Sequence, residues 1–135
     1  MNAPLSDPIL PSRFPVWEAL ADFWLDTELV DADFDRIARV IAASPYSLEE
    51  IQAIHRYEVA PAVSANLMGV AGEWAGFDQD WLRARCQGCA EQRKVWWFRF
   101  KTALRQPMVR YFTDDYWRQV LPRVEHLRQG PAENR

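Results

Sequence analysis

Residues 47–63 read SLEEIQAIHRYEVAPAV, and this stretch decides the fold class. Ser47 is followed three residues later by Glu50, the capping-box pattern that marks a helix start. Apolar residues then recur at the helical period and predict one buried face, made of Leu48, Ile51, Ile54, Val59 and Ala62. Pro61 removes a backbone donor, so we predict that this helix bends or ends there.

Helical periodicity also extends upstream of this stretch. One amphipathic helix is predicted to begin with Pro15 in its first turn. A second begins near Asp31, whose carboxylate can cap free N–H groups, and ends at Ser44 and Pro45. No segment alternates apolar and polar residues with a period of two, so no sheet is expected.

Downstream, a long Trp-rich helix is predicted from Asp78 to Arg105, with Gly88 as a weak point. If it is unbroken, it spans about 40 Å. Pro107 follows its end, and Thr113 opens a last helix that Pro122 kinks. The apolar face of the long helix is predicted to comprise Leu82, Cys86, Cys89, Trp96, Phe100 and Leu104.

The sequence therefore predicts an all-α fold, a single compact bundle of five or six helices with one long Trp-rich helix. Its 135 residues, 49% of them apolar, suffice for one buried core. Residues 1–12 hold three prolines and are expected to form a flexible N-terminal arm. Residues 13–128 form the single helical domain, and residues 129–135 form a flexible tail. We expect a cytoplasmic protein that does not bind membranes, because no signal peptide or long apolar run is present.

The small net charge of −3 conceals a strong asymmetry. Residues 1–80 contain 14 acids and 4 bases, whereas residues 81–135 contain 5 acids and 12 bases. These numbers correspond to charges of −10 and +7, so the two halves should attract each other in the folded chain.

Three polar residues fall on predicted apolar faces. His55 and Glu58 lie on the inner face of the helix that starts at Ser47, and Arg93 lies near the centre of the inner face of the long helix. One interpretation is a catalytic or ligand-binding cluster. The other is a buried structural network in which Glu58 pairs with Arg93 and His55 donates to a carbonyl or to Glu58.

Cys86 and Cys89 form an isolated C-x2-C pair. A zinc site needs further ligands at suitable spacing, so we interpret the two residues as buried thiols on one helix face. His55 and Glu58 form half of the pattern used by di-iron bundles, and no second copy exists. We expect no metal, no cofactor and no catalytic residue.

Acidic residues cluster in the N-terminal half, where Glu18, Asp22 and Asp26 recur every four residues. We interpret them as candidate partner-binding residues within the set Glu18, Asp22, Asp26, Glu28, Asp31 and Glu73. The alternatives are a solvated face and a landing place for the basic C-terminal half. A complementary basic stripe comprises Lys94, Phe98, Lys101 and Arg105, and it suggests nucleic-acid binding as a minor alternative.

The segment GEWAGFDQDWL, residues 72–82, is interpreted as a corner between two helices. Gly72 suits a C-terminal cap and Asp78 an N-cap, whereas Trp74 and Phe77 would pack the corner. Glu73 is left without a structural role.

Two segments resemble a family of small bacterial proteins defined as a domain of unknown function. They are VWEALADFWLDTE, residues 16–28, and EVAPAVSANLMGVAGEWAGFDQDWL, residues 58–82. The resemblance covers most of residues 13–120, and its most specific part is EVxPxxxxNL followed by GEWAGFDxDWL. It implies a compact domain in the bacterial cytoplasm and assigns no reaction or catalytic residue.

In type, the chain is also similar to the immunity proteins that neutralise antibacterial toxins, which are short, acidic and helical. From this we expect a non-enzymatic protein-binding module, an immunity protein whose acidic surface binds a cognate toxin. One alternative is a small enzyme or metal-binding bundle that uses His55, Glu58 and Arg93. The other is a nucleic-acid-associated regulator. The sequence leaves the oligomeric state open.

Overall fold

The computed structural model describes residues 10–24, 29–67 and 79–129, and nearly all of them are helical. The helices are α1 (Leu10–Ala21), α2 (Asp31–Ala43), α3 (Leu48–Ile54), α4 (Ala60–Leu67), α5 (Gln79–Glu91) and α6 (Trp96–Gln129). A 3-10 turn (Asp22–Trp24) follows α1, and a π-helical turn (His55–Val59) joins α3 to α4. These three ranges contain no strand, which confirms the all-α class.

The helix that begins after Ser47 starts as predicted. The Ser47 hydroxyl accepts a hydrogen bond from the Glu50 N–H at 3.1 Å, and the Glu50 carboxylate accepts one from the Ser47 N–H at 2.8 Å. The helix neither ends nor breaks at Pro61, because α3, the π turn and α4 are continuous in the chain. Pro61 lacks the donor that would bond to Tyr57, and the wider π turn just before it accommodates that loss.

The N-terminal boundaries differ from the prediction. α1 begins at Leu10, so Pro15 lies inside the helix and residues 10–12 belong to it. Ser12 forms a 2.6 Å hydrogen bond with the hydroxyl of Tyr46, a contact that holds this first turn against the body of the protein. In α2 the cap is also shifted, because Asp33, not Asp31, accepts a hydrogen bond from the Val30 N–H at 2.9 Å.

The prediction for the long helix is wrong in two respects, the position of the break and the position of the end. The chain continues through Gly88, turns at residues 92–94 and then enters α6, which runs for 34 residues through Pro107 and Pro122. Both prolines are on the exposed side of α6, where water can satisfy the carbonyls that they leave unbonded. Thr113 opens no helix, since its hydroxyl donates to the Val109 carbonyl at 2.8 Å inside α6.

The turn at residues 92–94 also resets which side of the helix faces inward. Leu82 and Cys86 of α5 are buried as predicted, but Trp96, Phe100 and Leu104 of α6 are exposed. The buried face of α6 instead comprises Phe98, Thr102, Val109, Thr113, Trp117, Val120 and Val124. The prediction used one helical wheel for residues on both sides of the turn. It therefore assigned the wrong residues to the buried face of α6.

The core lies where the π turn meets its neighbours. The π turn contacts α1, α5 and α6, while α2 packs along α6. The opposite charges of the two halves do meet in this packing. Arg123 of α6 pairs with Asp31 at 3.1 Å and with Asp35 at 2.7 Å.

Several expectations lie outside the described residues. They include the corner segment up to Asp78, with Glu73, together with residues 1–9 of the arm and residues 130–135 of the tail. Within the described ranges, no helix has the length and apolar character needed to cross a membrane.

Candidate functional site

Glu58 forms the centre of a buried ion cluster. Its carboxylate is fully buried, and it accepts from the Arg13 Nη1 at 2.7 and 2.9 Å. The indole N–H of Trp17 donates to Oε1 at 2.8 Å, and the Arg93 Nη1 donates to Oε2 at 2.6 Å. The predicted juxtaposition of Glu58 and Arg93 is therefore present, and it joins the π turn to the segment between α5 and α6.

This arrangement leaves little of Glu58 for chemistry. Both carboxylate oxygens are occupied by charged or aromatic donors, and the two guanidinium groups supply more positive charge than the single carboxylate removes. A general base or a metal ligand needs a free lone pair that faces a substrate or ion. The geometry is that of a structural ion cluster that fixes α1 and the α5–α6 connection to the π turn.

His55 lies apart from the ion cluster, in an aromatic cage. Its Nε2 accepts a hydrogen bond from the Trp24 indole at 3.2 Å, and its ring packs against Phe23 and Trp117. The predicted donation from His55 to Glu58 is absent from the described contacts. Burial, with a smaller effect from the nearby Arg56, lowers the pKa of His55 to about 3, so the imidazole is neutral at pH 7.

The acidic candidates are only partly available to a partner. Glu18 pairs with Arg83 at 2.8 Å, Asp22 pairs with Arg36 at 2.9 Å, and Asp31 pairs with Arg123. Burial raises the pKa of Asp22 although its pairing with Arg36 opposes that effect. Two of these three carboxylates thus receive bases from the C-terminal half, as the landing-place alternative proposed. Asp26, Glu28 and Glu73 lie outside the described residues.

The two cysteines are free thiols on α5; Cys86 is buried, as predicted, whereas Cys89 is only half-buried. Burial raises the pKa of Cys89 to about 11, and it raises the pKa of Cys86 further. In the part of the chain that the structure describes, no three side chains of the His, Cys, Asp or Glu type converge on a point that could hold a metal ion.

The outer face of α6 is an exposed apolar surface. Its members are Trp96, Trp97, Phe100, Leu104 and Tyr111, and we call them the α6 outer face. Trp97 stacks on Phe100 with 5.6 Å between the ring centroids. Trp96 packs edge to face against Trp97 with 5.5 Å between the centroids. Trp96 is 73% exposed, Leu104 66% and Tyr111 83%. At about 100° per residue, the five positions lie within about 100° of one another, opposite the buried face.

The charges on α6 beside this surface are basic as far as Thr113, and the acids Asp114 and Asp115 follow at the Tyr111 end. Residues 96–113 contain four bases and no acid. Arg99 lies beside the surface, and its guanidinium carbon is 4.8 Å from the ring centroid of Tyr57. The guanidinium also donates a 3.3 Å hydrogen bond to the Tyr57 hydroxyl. The basic stripe predicted to bind nucleic acid lacks an exposed aromatic ring. Phe98 is only 9% exposed and cannot stack on a base.

The sequence-based prediction did not include Arg13 and Trp17, which are the main partners of Glu58. A signal for them exists, because the two residues lie four apart on one helical face and Arg13 is the only base in the first 35 residues. It also missed the α6 outer face, whose spacing was hidden by the assumption of an unbroken helix.

The profile of a domain of unknown function, DUF7079, matches residues 11–123. The chain belongs to the DUF7079 family. The match extends from α1 to the last turns of α6, and it includes both the ion cluster and the α6 outer face. No curated protein and no solved structure gives a significant match to the chain.

Proposed function

We propose that this DUF7079 protein is a protein-binding module that engages its partner through the α6 outer face. The observation that carries the proposal is that α6 has a second apolar face, directed away from the core. Large exposed apolar patches on soluble domains mark interaction sites. Trp and Tyr, which dominate this surface, are also the residues that most often anchor protein interfaces.

The chemistry of the surface defines the partner. Its centre would be filled by apolar side chains, because Trp97, Phe100 and Leu104 offer no charged group. Its border would be acidic, because the neighbouring charges on α6 are all basic as far as Thr113. An apolar surface or helix edged with carboxylates meets both requirements.

A bacterial toxin neutralised by direct binding is the partner class that we propose. An inhibitor of this kind needs a rigid, complementary surface and no chemistry of its own, which is consistent with the occupied carboxylate of Glu58. The binding surface differs from the acidic stripe expected from the sequence, because the described acids of that stripe are engaged within the chain.

Photo-crosslinking in native cells tests the proposal. A photoreactive residue at Tyr111 should capture a heterologous protein, whereas the same residue at Leu127, near the other end of α6, should not. The captured protein is then purified, and its affinity should fall by about tenfold or more with Leu104→Asp. Leu127→Asp is the matched control and should leave the affinity unchanged.

The outcomes separate the possible occupants of the surface. Growth arrest by the captured protein, relieved by the wild-type chain and not by Leu104→Asp, would support neutralisation of a toxin. Crosslinks only between copies of this chain would instead identify a self-association surface and contradict the proposal. Equal affinity of the captured partner for the wild-type chain and for Leu104→Asp would also contradict it.

A further inference from the structure

A cavity of about 280 Å³ lies beside α4, α5 and α6, and Glu58 is not among the described residues that line it. Three cationic side chains line it, namely Arg85 from α5 and Lys101 and Arg105 from α6. No carboxylate is among the described residues that line the cavity. Like charges that share a cavity repel one another, so this arrangement favours an anion between them.

The three cations differ from their neighbours in lacking a counterion. Arg83, two residues before Arg85, pairs with Glu18 at 2.8 Å, and Arg93 pairs with Glu58 at 2.6 Å. Among the described residues, no carboxylate pairs with Arg85, Lys101 or Arg105. Within the described ranges, these three positive charges are therefore not neutralised by an ion pair.

Neutral donors complete the lining. Thr102 is only 6% exposed, lines the cavity and has no hydrogen-bond partner among the described residues. Thr113, also on the buried face of α6, does back-bond to the helix, at 2.8 Å. Gln92 adds an amide at the turn between α5 and α6. Thr102 and Gln92 thus bring a hydroxyl and an amide to the lining of the cavity.

We propose that this cavity binds a phosphate or diphosphate group, either free or carried by a small ligand. An anion with more than one negative charge is attracted to the two guanidinium groups and one ammonium group in the lining. Its several acceptor oxygens match the fork-shaped donors of arginine and the hydroxyl of Thr102. The volume is at the lower end of the range for ligand pockets, so the ligand is small.

The glycine in the lining offers a direct way to block the site. Gly88 of α5 lines the cavity, and a Cβ added there meets nothing within 4 Å. Gly88→Ala should therefore fold and should stabilise α5 by its helix propensity. Gly88→Glu would bring a carboxylate to the three cations and compete with the anion from within the chain.

The experiment is calorimetric titration of the full chain with inorganic phosphate, pyrophosphate and ribose 5-phosphate at constant ionic strength. We expect saturable binding, weakened about tenfold or more by Gly88→Glu and by the double variant Arg85→Ala, Lys101→Ala. Thr102→Val, which removes only the hydroxyl, should weaken binding less. Gly88→Ala should bind as the wild type does. Tighter binding of ribose 5-phosphate than of inorganic phosphate would identify an ester as the ligand, and the reverse order a free anion.

Lys94→Ala is the matched control, because it removes a positive charge near the same turn and does not line the cavity. Equal weakening by Lys94→Ala and by the double variant would show general electrostatic attraction and overturn the proposal. Absence of saturable binding for all three probes at about 10 mM would overturn it as well. Circular dichroism on each variant shows whether the fold is retained. Comparison of the binding affinities of Gly88→Ala and Gly88→Glu separates a folding defect from loss of the site.

Discussion

The carboxylate of Glu58 lies 2.6 Å from the guanidinium of Arg93, although 35 positions separate the two residues in the chain. Arg13 approaches the same carboxylate from α1, so one buried acid connects three separate parts of the protein. Removing one member of a buried ion pair is costly because the remaining charge is left without compensation.

Glu58→Gln should therefore destabilise the protein severely. The variant keeps the shape of the side chain but leaves Arg13 and Arg93 without their counterion. We expect a loss of about 3–5 kcal/mol in the free energy of unfolding, measured by urea titration. Asp115→Asn is the control, because the pair between Asp115 and Arg118 is largely exposed and should contribute little. An unchanged urea midpoint for Glu58→Gln would refute the structural role of the cluster.

The buried neutral state of His55 predicts a loss of stability in acid. The unfolded chain takes up a proton at His55 below about pH 6.5, whereas burial delays protonation of the folded chain until about pH 3. The free energy of unfolding should therefore decrease as the pH falls from 6.5 towards 3. Between about pH 7 and pH 4.5, we expect the wild type to lose roughly 2 kcal/mol more than His55→Asn.

The asparagine keeps a hydrogen-bond acceptor for Trp24 and cannot take up a proton, so the comparison isolates the titration of His55 from that of the carboxylates. His126→Asn serves as the second comparison, since His126 is exposed on α6. It should follow the wild-type pH dependence. Parallel curves for the wild type and His55→Asn would exclude the proposed effect.

Both thiols should resist modification in the folded protein. Burial raises the pKa values of Cys86 and Cys89, so little reactive thiolate is present at pH 8, and Cys86 is fully covered. We expect slow labelling by a colourimetric disulfide reagent in buffer and complete, rapid labelling of both residues in denaturant. The single variants Cys86→Ala and Cys89→Ala assign the residual native rate, which should belong to Cys89. Rapid labelling of Cys86 in buffer would contradict the packing described for α5.

Arg128 should stabilise the end of α2. Its Nη2 donates to the carbonyl of Ile41 at 2.8 Å, which also accepts from the Ser44 N–H, and to the carbonyl of Tyr46 at 2.6 Å in the connection after α2. Arg128→Ala should lower the free energy of unfolding by about 1 kcal/mol, as judged by thermal or urea unfolding. Arg128→Lys should restore only part of that loss, because an ammonium lacks the planar fork. Arg118→Ala, on an exposed part of the same helix, should have almost no effect.

The sequence predicted local features well, and it predicted one long-range contact, the pair of Glu58 and Arg93. The capping box at Ser47 and the inward positions of His55 and Glu58 follow from spacing within one helix, so they could be read without the structure. The turn after Glu91 could not, because residues 92–95 contain neither proline nor glycine. It coincides with the pairing of Arg93 with the distant Glu58. The inward positions of the two residues predicted the pair, but they did not predict the turn.

The prolines of α6 do not have the effect that their local chemistry predicts. Pro107 and Pro122 have the local chemistry of helix breakers, yet α6 passes through both of them. Their effect depends on whether the freed carbonyls face water, which is a property of the packed molecule. The error over Trp96, Phe100 and Leu104 followed from the same source, because an unrecognised turn changes the angular position of every later residue.

The π turn at His55–Val59 changes the angular position of the side chains that follow it in an otherwise regular helix. Compared with an α-helical turn, it holds about one residue more, which corresponds to about 100° of rotation. Ile51 and Ile54 before it and Val59 and Val63 after it are all buried in the core. Deletion of one residue from the π turn would make this turn α-helical. It would thereby rotate α4 away from α5. The length of this segment, as much as its composition, is therefore fixed by the fold.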